Sequence, residues 1–404
     1  MPSALIQGLA LLILICLGGS TTGQGLRIAH ASAIPHNLGG IQAAGSAQFH
    51  ILDRRETRIK EVLAQQTDTC QGEFIPVSKP LTELGNSEYI RLNTGPTGFT
   101  GGLYPDGSNT PPAVHLAFGL EMAAQVVPRD PQGRPDPNGK IVLISIGMSN
   151  TAGEFGQFAV SARGDGSINP HLVIINGAQG GKVATYWLDP QGEAWQFVDN
   201  LLAFKKVTPQ QVQVAWVKLT NFDLNDFPQD IQTLQSHLEI VARNLKSRFP
   251  NLKIAYYSSR TRAYAYFEGA NPEPGAFETG FSVKWMIEKQ IDGNPSLNFR
   301  PESGPVLAPY LAWGPYLWID GLNPRSDGRI WEPIDLKRDC VHPSDISGKP
   351  KVVEQLMQFF KTDPTARTWF LADPPEDEPT FLPTIFGNEE TRSPRIRHWR
   401  THAR

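Results

Sequence analysis

Cysteine is scarce in this 404-residue chain, which contains only three. The sequence has no Cys-x-x-Cys and no His-Glu-x-x-His, so it offers no familiar metal-binding motif. It also lacks an excess of charge of one sign. The formal net charge is −3, which predicts no broad attraction to nucleic acid or to anionic membranes. With 40% hydrophobic and 19% charged residues, and no visible repeat, the composition indicates a globular protein.

Long hydrophobic runs are limited to the N-terminus. The run "ALIQGLALLILICLGG" starts at Ala4 and is followed by small and polar residues. Its length is typical of the apolar region of a secretory signal and is short for a membrane-spanning helix. We therefore predict that residues 1–25 are a signal peptide, that the protein is exported and that the mature chain has no membrane span. A buried N-terminal helix is the alternative.

Export would leave two cysteines in the mature chain, Cys70 and Cys340. Two thiols can pair in an oxidising compartment. Two unpaired, buried cysteines fit the sequence equally well, because nothing in it shows that the two residues meet.

The middle of the chain alternates short apolar runs with helical patterns. Apolar strands separated by helices are typical of a parallel sheet that is covered on both faces. The sequence therefore predicts an α/β fold with a doubly wound parallel sheet. The predicted strands are 141–146, 171–176, 211–219 and 252–258, and the predicted helices are 115–127, 154–162, 231–249 and 350–360.

A serine follows the first predicted strand of this sheet, in "IVLISIGMSN". In open parallel sheets, ligands bind at the carboxyl ends of the strands. Gly147 permits a sharp turn there, and Ser149 would lie near the N-terminus of the next helix. A serine in this place is either an ordinary helix cap or a nucleophile.

Two later strands are also followed by residues that could face a ligand. In "INGAQGGKVATYW", Gly180 and Gly181 would let backbone N–H groups approach a ligand closely, or they would form a plain turn. Asn221 follows the next strand, where it is either a turn residue or a donor to a developing oxyanion.

Asp339 and His342 lie three residues apart in "DCVHP", just before a proline and a predicted helix. A carboxylate so near in sequence can hydrogen-bond the imidazole and fix its tautomer, which leaves the other ring nitrogen to accept a serine proton. A surface Asp/His pair is the alternative.

Taken together, these motifs resemble those of the SGNH (GDSL-type) hydrolases, which are α/β serine esterases and lipases with a flavodoxin-like three-layer fold. The resemblance covers about residues 140–361. "GMSN" is closer to the Gly-Gln-Ser-Asn of carbohydrate acetylesterases than to Gly-Asp-Ser-Leu. The resemblance implies that Ser149 is the nucleophile, that His342 activates it and that Asp339 orients His342.

The same resemblance implies an oxyanion hole and no cofactor. Its donors would be the N–H of Gly181, the Asn221 side chain and the N–H of Ser149, with Gly180 as the other candidate glycine. Neither a metal nor an organic cofactor is expected.

The predicted function is an exported serine esterase that removes acyl groups, such as acetyl, from carbohydrate. Gly180, Asn150 and Arg260 are the candidate substrate-binding residues. Two alternatives are kept: a lipase or arylesterase of the same family, and a non-catalytic glycan-binding protein that retains the fold.

The domain organisation follows from these assignments. We predict an N-terminal extension of residues 26–139 packed on a catalytic domain of residues 140–371. Within the extension, the Gly- and Pro-rich residues 92–112 predict a long ordered loop. Residues 372–404 are acidic first and then arginine-rich, and they are predicted to be a flexible tail.

Overall fold

The computed structural model describes residues 68–267 and 271–374. The predicted signal peptide and nearly all of the predicted C-terminal tail lie outside the described residues. Among the residues that are described, no helix is both long enough and apolar enough to cross a membrane.

The strands and helices are numbered in chain order. The strands are β1 (Glu88–Arg91), β2 (Gly95–Thr100), β3 (Ile141–Gly147), β4 (Leu172–Asn176), β5 (Val212–Lys218), β6 (Ile254–Tyr257) and β7 (Tyr310–Trp313). The α-helices are α1 (Leu81–Leu84), α2 (Ala113–Ala124), α3 (Ser149–Arg163), α4 (Glu193–Phe204), α5 (Gln229–Arg248), α6 (Gly275–Ile291), α7 (Gly348–Thr362) and α8 (Arg367–Phe370). Short 3₁₀ turns lie at Pro105–Gly107, Ala184–Trp187, Pro209–Gln211, Pro295–Leu297, Pro301–Ser303 and Pro333–Asp335.

The central element is a five-stranded parallel sheet with the order β4-β3-β5-β6-β7. With β3 counted as the first strand, this is the flavodoxin-like order 2-1-3-4-5. In this order, strands are added to one side of the first strand and then to its other side, so the strand order reverses between the first and third strands. The predicted doubly wound parallel sheet is therefore confirmed. The reversal lies between β3 and β5, so a ligand site is expected where these two strands end.

The apolar side chains of β3 alternate between two cores. Val142 and Ile144 belong to one core cluster, whereas Ile141 and Leu143 belong to the other. Because successive residues of a strand point to opposite faces, a strand buried on both faces reads as a continuous apolar run. All seven residues of β3 are buried.

Helices cover both faces of the sheet. The first cluster includes Trp195 of α4, Leu238 of α5 and Phe281 of α6. The second includes Phe158 of α3 and Phe360 of α7. The result is three layers, helix–sheet–helix, as the sequence predicts.

The sequence patterns missed four elements of the sheet domain, and one region was assigned wrongly. The missed elements are helices α4, α6 and α8 and strand β7. Residues 92–112 are not a continuous loop, because β2 lies within them and pairs antiparallel with β1. Thr97 stabilises this hairpin by donating its Oγ1–H to the backbone oxygen of Tyr89.

A disulfide joins Cys70 to Cys340, which are 270 residues apart in sequence. The alternative of two unpaired cysteines is therefore wrong. Backbone bonds support the same junction, since the N–H of Cys70 donates to Leu336 O (3.0 Å) and the N–H of Tyr264 donates to Cys340 O (2.9 Å). The bond fixes the loop that carries Asp339 and His342.

Candidate active site

Ser149 is the first residue of α3, directly after the end of β3. Gly147 is needed at this turn, because a Cβ there would collide with the Thr151 side chain. The cap position belongs to Met148, which has extended backbone and whose carbonyl accepts the N–H of Ala152. Ser149 is thus not the helix cap, and its Oγ lies 2.7 Å from Nε2 of His342.

His342 connects this serine to Asp339. Its Nδ1 lies 2.6 Å from Oδ2 of Asp339. The other oxygen of the carboxylate, Oδ1, accepts the backbone N–H groups of Val341 (3.0 Å) and His342 (2.9 Å). The carboxylate is therefore held from both sides.

These contacts fix the direction of the hydrogen bonds. Partial burial raises the pKa of Asp339, but hydrogen bonds from the His342 side chain and from the two backbone N–H groups outweigh it and hold this pKa well below its usual range. An ionised carboxylate can only accept, so Nδ1 of His342 carries the proton. Nε2 is then the acceptor for the Ser149 hydroxyl.

Asn150 joins α3 to the same loop. Its side chain is buried, and its Nδ2 donates to Val341 O at 3.1 Å. The predicted substrate-binding residue is therefore located at the site, where it connects the elements that carry Ser149 and His342.

Gly180 and Gly181 lie on the exposed loop after β4. The N–H of Gln179 donates to Gly147 O (3.0 Å), which holds this loop beside the turn of Ser149. Gly181 has a φ of +72°, and a Cβ at either glycine would meet nothing within 4 Å. Among the described residues, neither glycine donates its N–H to a backbone carbonyl. Both donors are therefore free to face a ligand.

Asn221 lies on the other side of β3, after the end of β5. Its backbone is fixed by its neighbour Thr220, whose carbonyl accepts the N–H of Ala184 (2.9 Å). Oδ1 of Asn221 lies 3.2 Å from Nδ1 of His237, and the side chain is almost buried. The strand order thus places Ser149 between the loop of Gly181 and the loop of Asn221.

Arg260 is fully buried rather than exposed at a groove. Its Nη1 lies 3.7 Å from Sδ of Met148, directly before Ser149. Burial lowers the pKa of its guanidinium, although Glu154, Glu273 and Asp339 oppose this effect. Arg260 therefore lies beneath the turn that carries the serine.

A buried ion pair, which the sequence patterns did not reveal, joins helix α3, which begins at Ser149, to the end of β5. Nζ of Lys218, the last residue of β5, lies 2.7 and 2.6 Å from the two carboxylate oxygens of Glu154 in α3. Burial lowers the pKa of Lys218 to about 8, with Glu154 opposing the shift. The partners are 64 residues apart, so no local sequence spacing signals the pair.

We expect Glu154→Gln to lower the free energy of unfolding by about 3–5 kcal/mol, because it leaves the Lys218 ammonium buried without a counter-charge. Urea denaturation measures the change. Glu193→Gln is the matched control, since Glu193 pairs with Lys182 at the surface and should cost at most about 1 kcal/mol. Equal stability of the two variants would contradict the importance of the buried pair.

No cluster of three or more His, Cys, Asp or Glu side chains that could hold a metal ion occurs within the described part of the chain.

Neither a protein-family model nor a curated protein matches the sequence. Among solved structures, a GDSL-like lipase of Bacteroides thetaiotaomicron is 14% identical, with 61% of this chain and 96% of that chain covered and a TM-score of 0.30. A family two carbohydrate esterase of Clostridium thermocellum, solved with cellohexaose, is 15% identical, with 55% and 63% covered and a TM-score of 0.31. An extracellular lipase of Streptomyces rimosus is 12% identical, with 54% and 99% covered and a TM-score of 0.28.

With TM-scores of 0.28 to 0.31, these similarities carry no argument about this chain, and its chemistry is argued from the site itself. Among the similar structures, one is named a putative SGNH hydrolase and another a GDSL-like lipase.

Proposed function

We propose that this protein is an exported serine esterase that hydrolyses carboxylic esters, with O-acetylated carbohydrate as its substrate class. The observation that carries the proposal is the continuous chain of hydrogen bonds from Asp339 through His342 to the Ser149 hydroxyl, with separations of 2.6 and 2.7 Å. A nucleophile, a base and a group that orients the base are the parts that such catalysis needs.

The reaction would run in two steps. His342 Nε2 takes the proton of Ser149 as Oγ attacks the ester carbonyl, and it then gives this proton to the departing alcohol oxygen. The ester bond breaks and an acyl-serine remains. A water molecule, deprotonated by the same nitrogen, then attacks the acyl carbonyl. The bond between the acyl carbon and Ser149 Oγ breaks, the acid is released, and His342 returns the proton to Oγ. The Asp339 carboxylate stabilises the imidazolium that forms in each step.

The negative charge that develops on the carbonyl oxygen needs donors. The proposed donors are the Asn221 side-chain amide, the backbone N–H of Ser149 at the start of α3, and the N–H of Gly181. Gly180 is the alternative glycine. The support for this assignment is the location of all three loops at the carboxyl ends of β3, β4 and β5, with glycine N–H groups that are not used in backbone bonds.

The proposed substrate class is supported by the similarity of "GMSN" to the Gly-Gln-Ser-Asn of carbohydrate acetylesterases, and exposed aromatic rings on loops that follow the strands of the site are compatible with it. Tyr186 follows β4, Phe222 is adjacent to Asn221 and Phe267 follows β6, and all three side chains are exposed. Aromatic rings of this kind can stack on sugar rings. They would equally suit the acyl chain of a lipid, which is why the length of the acyl group is the property to test.

Export is supported by the disulfide, because such bonds persist in oxidising compartments and are rare in the cytosol. It agrees with the apolar run predicted to be a signal peptide in residues 1–25.

The test is a hydrolysis screen on protein recovered from outside the producing cells. Acetylated oligosaccharides and p-nitrophenyl esters of graded acyl length are compared by kcat/KM, and a fluorophosphonate probe is used to label the nucleophile. We expect the highest value for acetyl esters and a single adduct, on Ser149. A preference for long acyl chains would assign a lipase, and no hydrolysis with retained glycan binding would assign a binding protein. Protein that stays within the cells would contradict export.

A further inference from the structure

The two ends of the Asn221 side-chain amide have opposite effects on an oxyanion. The Nδ2 group donates and would stabilise the negative oxygen, whereas Oδ1 in the same place would repel it. The terminal amide torsion is broad and roughly two-fold, so a half-turn exchanges the two ends at little cost unless a neighbour prevents it. A residue that fixes this torsion would therefore affect the reaction without touching the substrate.

His237 is the residue in contact with this amide. It lies on α5, is partly buried, and its Nδ1 is 3.2 Å from Oδ1 of Asn221. Among the described residues, Asn221 Nδ2 makes no hydrogen bond, and it is not one of the buried side-chain atoms that lack a partner. The oxygen end of the amide is thus occupied and the nitrogen end is available.

We propose that His237 is a positioning residue for the reaction: with a proton on Nδ1 it donates to Asn221 Oδ1 and keeps Nδ2 directed at the oxyanion. The inference rests on the proposed esterase function.

The other tautomer would have the opposite consequence. A neutral ring with its proton on Nε2 would present Nδ1 as an acceptor, and the amide would have to turn its NH₂ group toward His237. Its oxygen would then face the reacting carbonyl. Partial burial lowers the pKa of His237, which favours the neutral ring, so the choice of tautomer matters. A protonated ring would also donate from Nδ1.

The first test is a double-mutant cycle measured as kcat and KM on an acetyl ester. Asn221→Ala should lower kcat by about 10²–10³-fold. His237→Leu, which removes the donor, should lower kcat roughly 3- to 10-fold, with KM nearly unchanged because the ground-state carbonyl is weakly polar. In the Asn221→Ala background, His237→Leu should have no further effect on kcat.

A conservative variant separates positioning from packing. His237→Asn has an amide nitrogen at the same number of bonds from Cα as Nδ1, so it should restore most of the kcat that His237→Leu loses. Melting temperatures of all variants are measured on the same preparations. The proposal would be overturned if the losses of kcat in the two single variants multiply in the double variant. It would also be overturned if kcat falls in parallel with the melting temperature and His237→Asn does not restore it.

The second test reads the tautomer directly and does not depend on activity. The imidazole nitrogens are observed by NMR on the isotope-labelled protein. The signals of His237, one of nine histidines, are identified by their loss in His237→Asn, and they should show the proton on Nδ1. A proton on Nε2 alone would reject the inference.

If Ser149→Ala hydrolyses the ester as fast as the unmodified protein, the esterase proposal fails, whatever the tautomer is. If Ser149→Ala is inactive and His237→Leu is fully active, only the inference about His237 fails.

Discussion

Ser149→Ala should lower kcat for ester hydrolysis by about 10⁶-fold, the loss seen when the nucleophile of a catalytic triad is removed. The variant lacks the Oγ atom that lies 2.7 Å from His342 Nε2, so this base has no serine proton to take. The fold should be kept, because the Ser149 side chain does not cap α3.

The measurement is kcat on an acetyl ester together with the melting temperature. Ser161→Ala is the matched control, since Ser161 lies on the same helix with an exposed side chain, and it should leave both quantities unchanged. A Ser149→Ala variant that keeps even about 1% of kcat, in preparations free of other esterases, would remove Ser149 as the nucleophile.

Asp339→Asn should lower kcat by about 10⁴-fold, as the equivalent change does in serine proteases. The structure gives the reason. Two backbone N–H groups occupy the Oδ1 side of Asp339, and they would hold the amide oxygen of the asparagine in that place. The NH₂ group must then face Nδ1 of His342. That nitrogen becomes an acceptor, the ring proton moves to Nε2, and the ring can no longer accept the serine proton.

The control for this change is Asp345→Asn. Asp345 is a nearby carboxylate whose ion pairs are with Lys337 and Lys349, away from the His342 ring. Asp345→Asn should change kcat by at most about two-fold, because it removes only weak ion pairs at the surface. If Asp339→Asn is fully active and Asp345→Asn is not, the orienting carboxylate has been assigned to the wrong residue.

The sheet and the serine, aspartate and histidine motifs could be predicted because their signals are local. β3 is buried on both faces and therefore reads as an apolar run, and Asp339 and His342 lie within one short loop. Helix α6 gave no such signal. Most of its residues are buried, so it lacks the polar stripe that reveals an amphipathic helix. Strand β7 has only four residues after a proline-rich segment, which is too short for a clear pattern.

The supporting contacts could not be predicted, because each joins residues that are distant in sequence. The Lys218–Glu154 pair depends on how α3 packs on β5, and the His237–Asn221 contact depends on how α5 returns over the end of the same strand. In the sequence, His237 belongs to a helical pattern in which its neighbours Leu234 and Leu238 are the apolar residues. Only the folded arrangement shows that its ring meets the amide of Asn221.

The Cys70–Cys340 disulfide also has a topological consequence. Every strand of the parallel sheet, from β3 to β7, lies between the two half-cystines, so the bond closes the sheet within a covalent ring, and α7 follows outside it. A single peptide-bond cut anywhere in the ring opens it without releasing a fragment. A molecule cut by a protease in an exposed loop would keep both of its pieces, and therefore Ser149 and His342, on one covalently connected molecule until the disulfide is reduced.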